Sequence, residues 1–395
     1  MSQIDLAGER PRVSPWNNPK VRSLVFQALL LGVLIALVVG VIVNARANLA
    51  AHGTISGFEF LNRVSGFDIG QSLISYSATS TFGRAFFVGL LNTLLVSGLG
   101  IVLATILGFA IGVARLSPNV IVSKFAVFYV EGLRNVPLLL LLLFLYNAVL
   151  KPLPNPKESI VLPGSIFLNN RGLMFPKPIF ADGAGWIGVA FIVAILGSIA
   201  FRLWAAARQR TTGQRAPTLV VSLALLVGLP LLAYFAFGEP VTLSYPELRG
   251  FNVTGGLPIL PEFVALLFGL VVYTAAFIAE IVRSGILAVH KGQTEAAHAL
   301  GLRAGPTLNL VVIPQAMRVI IPPLTSEYLN LTKNSSLAVF IGYPDLVQVF
   351  AGTVLNQTGQ AMECMAITML VYLLISLITS AFMNWYNSSK ALVER

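Results

Sequence analysis

Three sets of polar residues sit inside apolar runs of this 395-residue chain. Glu327, Asn330 and Asn334 share one run with Lys333, Ser335 and Ser336. Tyr273, Glu280 and Ser284 share a second, and Glu131, Asn135 and Tyr146 a third. At 100° per residue of helix, the leading members of each set fall on one face, within about 60°, 40° and 60°. The chemistry that suits them is solvation of a solute rather than bond making. No Cys/His cluster has metal-ligand spacing, and the chain holds one cysteine, Cys364, and three histidines. Ionisable groups in apolar spans are costly and face an interior or a pathway. Three polar faces around one cavity would pass a polar, zwitterionic solute. An opened helix at Lys333-Asn334-Ser335-Ser336 would offer N–H groups and a cation to a carboxylate. The competing reading is mutual neutralisation: Glu131/Arg134 and Glu280/Arg283 are each three residues apart, within pairing reach as charge pairs or gates.

The elements that must hold these groups follow from composition. The chain is 56% hydrophobic and 11% charged, against about 25% charged in ordinary soluble domains. That balance is an integral membrane protein's. Runs of about 20 apolar residues occur at Leu24–Val43, Phe86–Val113, Phe125–Leu150, Trp186–Trp204, Pro217–Phe237, Glu262–Leu287 and Cys364–Trp385. An eighth, from Arg318 to Tyr343, carries Pro322 and Pro323 and is expected to be interrupted. The fold class is therefore an all-α integral membrane protein of about eight transmembrane helices.

The net charge of +10 does not indicate nucleic acid, because no basic stripe interleaves with aromatics. It follows the positive-inside rule instead. With the N-terminus in the cytoplasm, 17 of the 26 Lys and Arg fall in inside segments and 8 outside, with Lys333 in a span. Both termini are then cytoplasmic. The first apolar run is longer than the 7–15 residues of a signal-peptide core, so it is read as an uncleaved span. The expected organisation is a cytoplasmic segment 1–23, a span 24–43 and an outside loop 44–85. A core follows in two parts, 86–150 and 261–387, split by an insertion 151–260 with two further spans; a tail covers 388–395. Gly108-x3-Gly112 suits close helix packing within the chain.

One stretch lies outside the oily runs: "EAAHALGLRAGPTLNLVVIP", residues 295–314. Glu295 to Leu300 are helix formers. Thr294 is placed to cap them, with Glu295 at the favourable end of the helix dipole. Gly301 suits a left-handed stop, and Pro306 the first turn of the next helix. Two turns of helix are too short to stand alone. Packing into a groove of another protein and lying on lipid headgroups are equally open on these grounds.

The spacing Glu295-Ala296-Ala297, three residues, Gly301, nine residues, Val311-Val312-Ile313-Pro314 resembles the E-A-A-x3-G-x9-I-x-L-P signature of ABC importer permeases. Two positions hold other aliphatics. "FIAEIVRSGILAVHKGQTEAAHALGL", "IPQAMRVIIPPLTSEYLNLTKNSSLA" and "YVEGLRNVPLLLLLLFLY" resemble the polar amino acid branch of that family. "GFEFLNRVSGFDIGQSLISYS" resembles its general L-amino acid permeases. The resemblance implies a five-helix type I permease core and a coupling loop, about 289–317, that docks on an ATPase. It also implies a dimer of ATPase subunits, a second related permease, a periplasmic amino-acid-binding protein, an L-amino acid as solute and a bacterial inner membrane. No G-x4-G-K-[ST] phosphate cradle occurs in the chain. No cofactor is then expected on this chain, with ATP and Mg²⁺ on the partner ATPase, and the chain itself is expected to be no enzyme. An ion-coupled transporter or channel is the main alternative. A multi-pass enzyme would want clustered acids or His at one membrane face, and the outer acidic residues are scattered.

Overall fold

Apolar runs that cross a bilayer must pair their own backbone groups, and these do so as helices. The structure is a computed structural model that describes residues 19–51, 57–214, 216–250 and 252–390. Most of the expected 1–23 segment and of the 388–395 tail lies outside the described residues. Helix α1 covers Pro19–Ala51 and α2 Phe82–Ala114. Then come α3 (Val120–Arg134) and α4 (Leu138–Phe144), the latter prolonged by a π-helical segment Leu145–Leu150. Helices α5 (Ala184–Thr212) and α6 (Thr218–Ala236) form a hairpin. Helix α7 (Pro261–Leu287) leads into the short α8 (Lys291–Ala299). After α9 (Ala304–Thr307) and a π-helical Leu308–Val312, α10 covers Ile313–Asn334 and tightens into a 3-10 segment, Ser335–Ile341. A π-helix Val347–Val354, α11 (Leu355–Thr358) and α12 (Ala361–Lys390) complete the described chain. Among the described residues seven helices are long and apolar enough to cross a membrane, eight if the bent α3–α4 pair counts as one.

Two expectations about these spans need correction. Phe125–Leu150 is not one straight helix: α3 and α4 meet at 101°. Pro137 is the cause, since it disfavours helical geometry at Val136 and has no N–H to continue the ladder. The segment 318–343, by contrast, is not broken at Pro322 and Pro323. Helix α10 runs through both, and the change of geometry comes only after Asn334. Packing on α7 and α12 holds the helix where local propensity would break it. The Thr325 hydroxyl donates to the Ile321 carbonyl at 3.1 Å nearby.

Helix α7 is the central element, the most buried of the spans. In lipid, helices associate through close packing rather than through a hydrophobic drive, so small residues decide where backbones meet. A Cβ on Gly108 would lie 2.6 Å from Ile278, and one on Gly112 2.7 Å from Val282. Both glycines are therefore spent on the α2–α7 seam within the chain. Ala104, Ile278, Val282, Ala316, Ile320 and Leu331 extend this seam to α10. Helix α1 buries none of its most apolar stretch, and α5 and α6 pack chiefly on each other.

The parts of the 151–260 insertion that flank its two spans contain short antiparallel sheets. Strands β1 (Ile160–Leu162), β2 (Ile166–Asn169), β3 (Gly172–Phe175) and β8 (Leu257–Ile259) lie in the order β1-β2-β3-β8. β4 (Lys177–Phe180) pairs with β5 (Val241–Ser244), and β6 (Glu247–Arg249) with β7 (Asn252–Thr254). Strands before the α5–α6 hairpin thus pair with strands after it.

At the end of the bundle away from α8, the turn Tyr343–Leu346 is knotted to α2. The Asn92 amide donates to Pro344 O at 2.8 Å and Gln71 O at 2.9 Å. The Leu346 N–H donates to the Thr93 hydroxyl at 3.0 Å. Asp345 is fully buried and accepts from Gln348 N at 2.8 Å and from the Tyr372 hydroxyl at 3.2 Å. Burial pushes its carboxyl up to about 7, although bonds from backbone N–H groups and Tyr372 oppose the shift. Tyr343 and Tyr372 are the titratable groups that feel its charge. Between the ordinary carboxylate range and about 7 the folded knot keeps a proton that an unfolded chain releases. Its contribution is thus full at acid pH and lost as pH rises through 7, on the order of a few kcal/mol. Asp345→Asn should flatten the fall in melting temperature between pH 5 and pH 8 in detergent. Parallel curves for wild type and variant would refute this.

Candidate functional site

The short helix α8 is built to stand out from the bundle. Its N-cap is His290, whose Nδ1 accepts from Gly292 N at 3.1 Å, so Thr294 is an interior residue and Glu295 lies beyond the first turn. The expected Thr294 cap fails because the helix starts earlier, directly after the turn that ends α7. Its other end closes as a paired turn: Leu302 N donates to Ala297 O at 3.1 Å and Gly301 N to His298 O at 2.9 Å. That closure requires φ of +79° at Gly301, which glycine adopts without a Cβ penalty. Ala297 faces the protein and is buried. Glu295, Ala296, Ala299 and Gly301 face outward, and Pro314 is exposed where α10 begins. Leu300, at the tip, is 83% exposed.

Next to α8, at the same end of the bundle, Glu280 on α7 gathers arginines from two other helices. Arg115, which caps the C-terminus of α2, donates to its Oε2. Arg283 donates to Oε1 at 2.7 Å, and Arg134, the last residue of α3, stands 3.9 Å from Oε2. The Arg134 guanidinium also lies 5.4 Å from the centre of the Phe277 ring. The expected Glu280/Arg283 pair is present. The expected Glu131/Arg134 pair is not: Glu131 is exposed, while the partly shielded Glu280 and the Phe277 face give Arg134 the stronger field. Arg115 was missed from sequence, where it looks like any positive residue flanking a span.

The polar sets assemble only in part. Glu327 lies half-buried within electrostatic reach of Arg134 and Tyr273. Tyr328, beside it, shares a hydrogen bond with Thr105 of α2 at 2.8 Å. Tyr146 does not join Glu131 and Asn135. The bend at Pro137 separates them, and its hydroxyl donates to Glu262 at 2.6 Å, at the start of α7. The expected open backbone at Lys333–Ser336 is closed. Ser335 N bonds to Leu331 O, and the Ser335 and Ser336 hydroxyls fold back on Thr332 O and Lys333 O. What is available there is the side chain of Lys333. It lines a largely apolar cavity of about 390 Å³, with Ser336, Thr368 and Tyr372 beside Val347, Ala351, Met365 and Met369. Asn330 is exposed on the same helix, and Asn334 is half-buried. Among the described residues no group of acids, His or Cys is placed to hold a metal.

One carboxylate with arginines from α2, α3 and α7 is a clasp, and its strength is measurable. Glu280→Gln and Arg115→Gln should each destabilise the protein in detergent. The double variant should fall short of their sum by about 1–3 kcal/mol, as for groups in one network. Additive losses would mean that the contact holds nothing together.

Residues 211–391 match the model of the family described as binding-protein-dependent transport system inner membrane component. The general L-amino acid transport system permease protein AapQ of Rhizobium johnstonii is 54% identical over 96% of this chain and 94% of its own. The putative amino-acid ABC transporter permease protein YhdX of Escherichia coli is 51% identical over 96% of each chain. The glutamate/glutamine/aspartate/asparagine transport system permease protein BztB of Rhodobacter capsulatus is 44% identical, again over 96% of each. An apolar helical bundle, a projecting two-turn helix and likeness along nearly its whole length place this chain in the family of ABC importer permeases, the inner membrane components of binding-protein-dependent transport systems.

Proposed function

We propose that this permease forms half of the translocation path of an ATP-driven L-amino acid importer, and that α8 receives the stroke of a separate ATPase. The observation that carries this is α8 itself, with Leu300 presented at its tip and a fixed turn behind it. Three residues of turn separate it from α7, so movement of α8 reaches the central helix directly. The clasp at Glu280 stands where α2, α3 and α7 must part or close, which suits an inner gate. The motor drives transport only by binding one arrangement of the permease better than the other. ATP and Mg²⁺ belong to the ATPase dimer, and this chain carries no cofactor.

Charge supports the orientation: the α8 end, with both termini, lies in the bacterial cytoplasm, and the β-strands lie in the periplasm, where a binding protein delivers solute. A second, related permease covers the polar face. Glu131, Asn330 and Lys333 are exposed at positions within apolar helices, and contact with lipid there would be costly. Between two such faces a zwitterion finds both charges and hydrogen-bonding groups, with Lys333 meeting the carboxylate. An ion-coupled mechanism would leave α8 without a purpose.

Leu300→Asp, at a site with no packing to lose, should abolish co-purification of the ATPase subunit and cut uptake at least tenfold while expression is unchanged. Retention of both would end the docking proposal. Lys333→Gln should raise the half-saturating solute concentration roughly tenfold or more, the scale of one charged hydrogen bond. An unchanged value would remove Lys333 from the solute path.

A further inference from the structure

The π-helix Val347–Val354 has a cavity on each of two sides. The first, about 320 Å³, opens at the end of the bundle away from α8. Its walls include Asp68 before α2 and Glu262 at the start of α7, and the π-helix contributes Gln348, Val349 and Thr353. The second is the Lys333 cavity, to which the same π-helix contributes Val347 and Ala351. It lies deeper: Thr368 and Tyr372 come from two to three turns inside α12. One layer of helix thus separates a space bordered by carboxylates from a space bordered by an ammonium group.

The layer is pinned along one side and free along two. Phe350 and Val354 are buried with Phe60 and Phe82, and Phe350 stacks edge-on to Phe86 at 5.3 Å. Its start hangs from the Asp345 knot. Two left-handed glycines, Gly342 (φ +79°) and Gly359 (φ +69°), bracket the segment, and neither has a neighbour where a Cβ would sit. π-Helical hydrogen bonding is rare and appears mostly as short insertions at functional sites. The Tyr372 hydroxyl links the layer to its surroundings. It donates to Asp345, which caps the π-helix, and it lies in reach of Ser335 and Thr93. Tyr372 also lines the Lys333 cavity, so a solute there contacts the residue that holds the layer.

We infer that the π-helix Val347–Val354 is a movable partition between two successive solute cavities, and that the Tyr372–Asp345 hydrogen bond is the latch that keeps it closed. This rests on the importer reading above and adds the outer gate to it. Solute enters beside Asp68 and Glu262, which favour its ammonium end, and reaches Lys333, which favours its carboxylate, when the partition swings about the Phe350 side. Competition of the inner solute for the Tyr372 hydroxyl ties arrival to the state of the latch.

Cys364 is the chain's one cysteine and is buried, so a Cys364→Ala background allows thiol accessibility to be read at single sites. The test uses the complete transporter, with its partner subunits, in vesicles whose periplasmic face points outward. Ala351→Cys, on the inner side of the partition, should react slowly with a membrane-impermeant trimethylammonium-ethyl thiosulfonate reagent. Adding Tyr372→Phe should speed that reaction roughly tenfold, as loss of a hydrogen bond to a carboxylate would. Gln348→Cys, on the outer side, should react at a rate within about twofold in both backgrounds, since its access does not depend on the latch. Equal rates at 351 with and without the Tyr372 hydroxyl would overturn the latch. A second experiment bypasses Tyr372. An Asp68→Cys/Gln348→Cys pair bridged by a reducible bis-thiosulfonate linker should stop uptake of a mixture of radiolabelled L-amino acids, and reductant should restore it. Undiminished uptake with the bridge closed would overturn the partition. If the unbridged transporter moves no amino acid, the importer reading fails, while the labelling rates at 351 still judge the latch on their own.

Discussion

The structure depends on the contact between α2 and α7. In water, burying apolar side chains would hold two such helices together. In lipid that drive is absent, and close fit must replace it. Gly108 and Gly112 leave no room for a Cβ against Ile278 and Val282, so the two helices meet at the backbone. The remaining core elements are arranged around this pair. Helix α10 lies against α7 through Ile320 and the Gly285 face, α4 meets it at Leu142 and Gly269, and the 343–346 turn rests on α2 at Gly89. Gly89, Gly108 and Gly112 of α2 and Gly269 and Gly285 of α7 therefore mark where neighbours approach, and the residues opposite them are buried.

Polar groups then distribute themselves at the two ends of that pair. Near α8, Glu280 collects arginines from α2, α3 and its own helix. At the other end, Asn92 and Thr93 of α2 hold the turn that carries Asp345. Neither arrangement is cheap in desolvation, and an apolar contact of the same shape would serve stability as well or better. What charged and hydrogen-bonded contacts add is two discrete states, made or broken, and a gate needs two states. Their placement at opposite ends of the same rigid pair fits alternating access, in which one end opens as the other closes.

Much of this was legible in the sequence because membrane helices obey strong rules. Apolar runs of bilayer length had to be helical, Gly108-x3-Gly112 had to mark a close approach, and Gly301 had to end α8. The parts that were not legible are those where tertiary contacts outrank local preference. Pro322 and Pro323 predict a break that packing of α10 suppresses, whereas the single Pro137 turns the chain by 101°. That turn moved Tyr146 away from Glu131 and undid a polar face that ideal helix geometry supports. Arg134 chose Glu280 over Glu131 for reasons of burial that pairwise spacing does not carry. The strands between residues 160 and 259 escaped notice because each is only three or four residues long, and two of their pairings, β3 with β8 and β4 with β5, cross an intervening helical hairpin.

Under the proposed mechanism, the α2–α7 pair is what carries a stroke at α8 to the partition at the opposite end of the bundle. A chain of soft contacts would dissipate it, since each side chain can yield in its own rotamer. Two helices locked through glycine do not bend independently, so in that mechanism a displacement at Glu280 would be carried to Asn92 and Thr93 as rigid-body motion. Asn92 donates to Pro344 and Thr93 accepts from Leu346, on either side of Asp345, and Asp345 caps the proposed partition. Under the proposed mechanism the only elements that must change shape are those with adjustable geometry: the π-helix, its bracketing glycines and the Glu280 clasp. The seam between them is required to stay closed throughout the cycle, which is what a contact without room for a methyl group enforces.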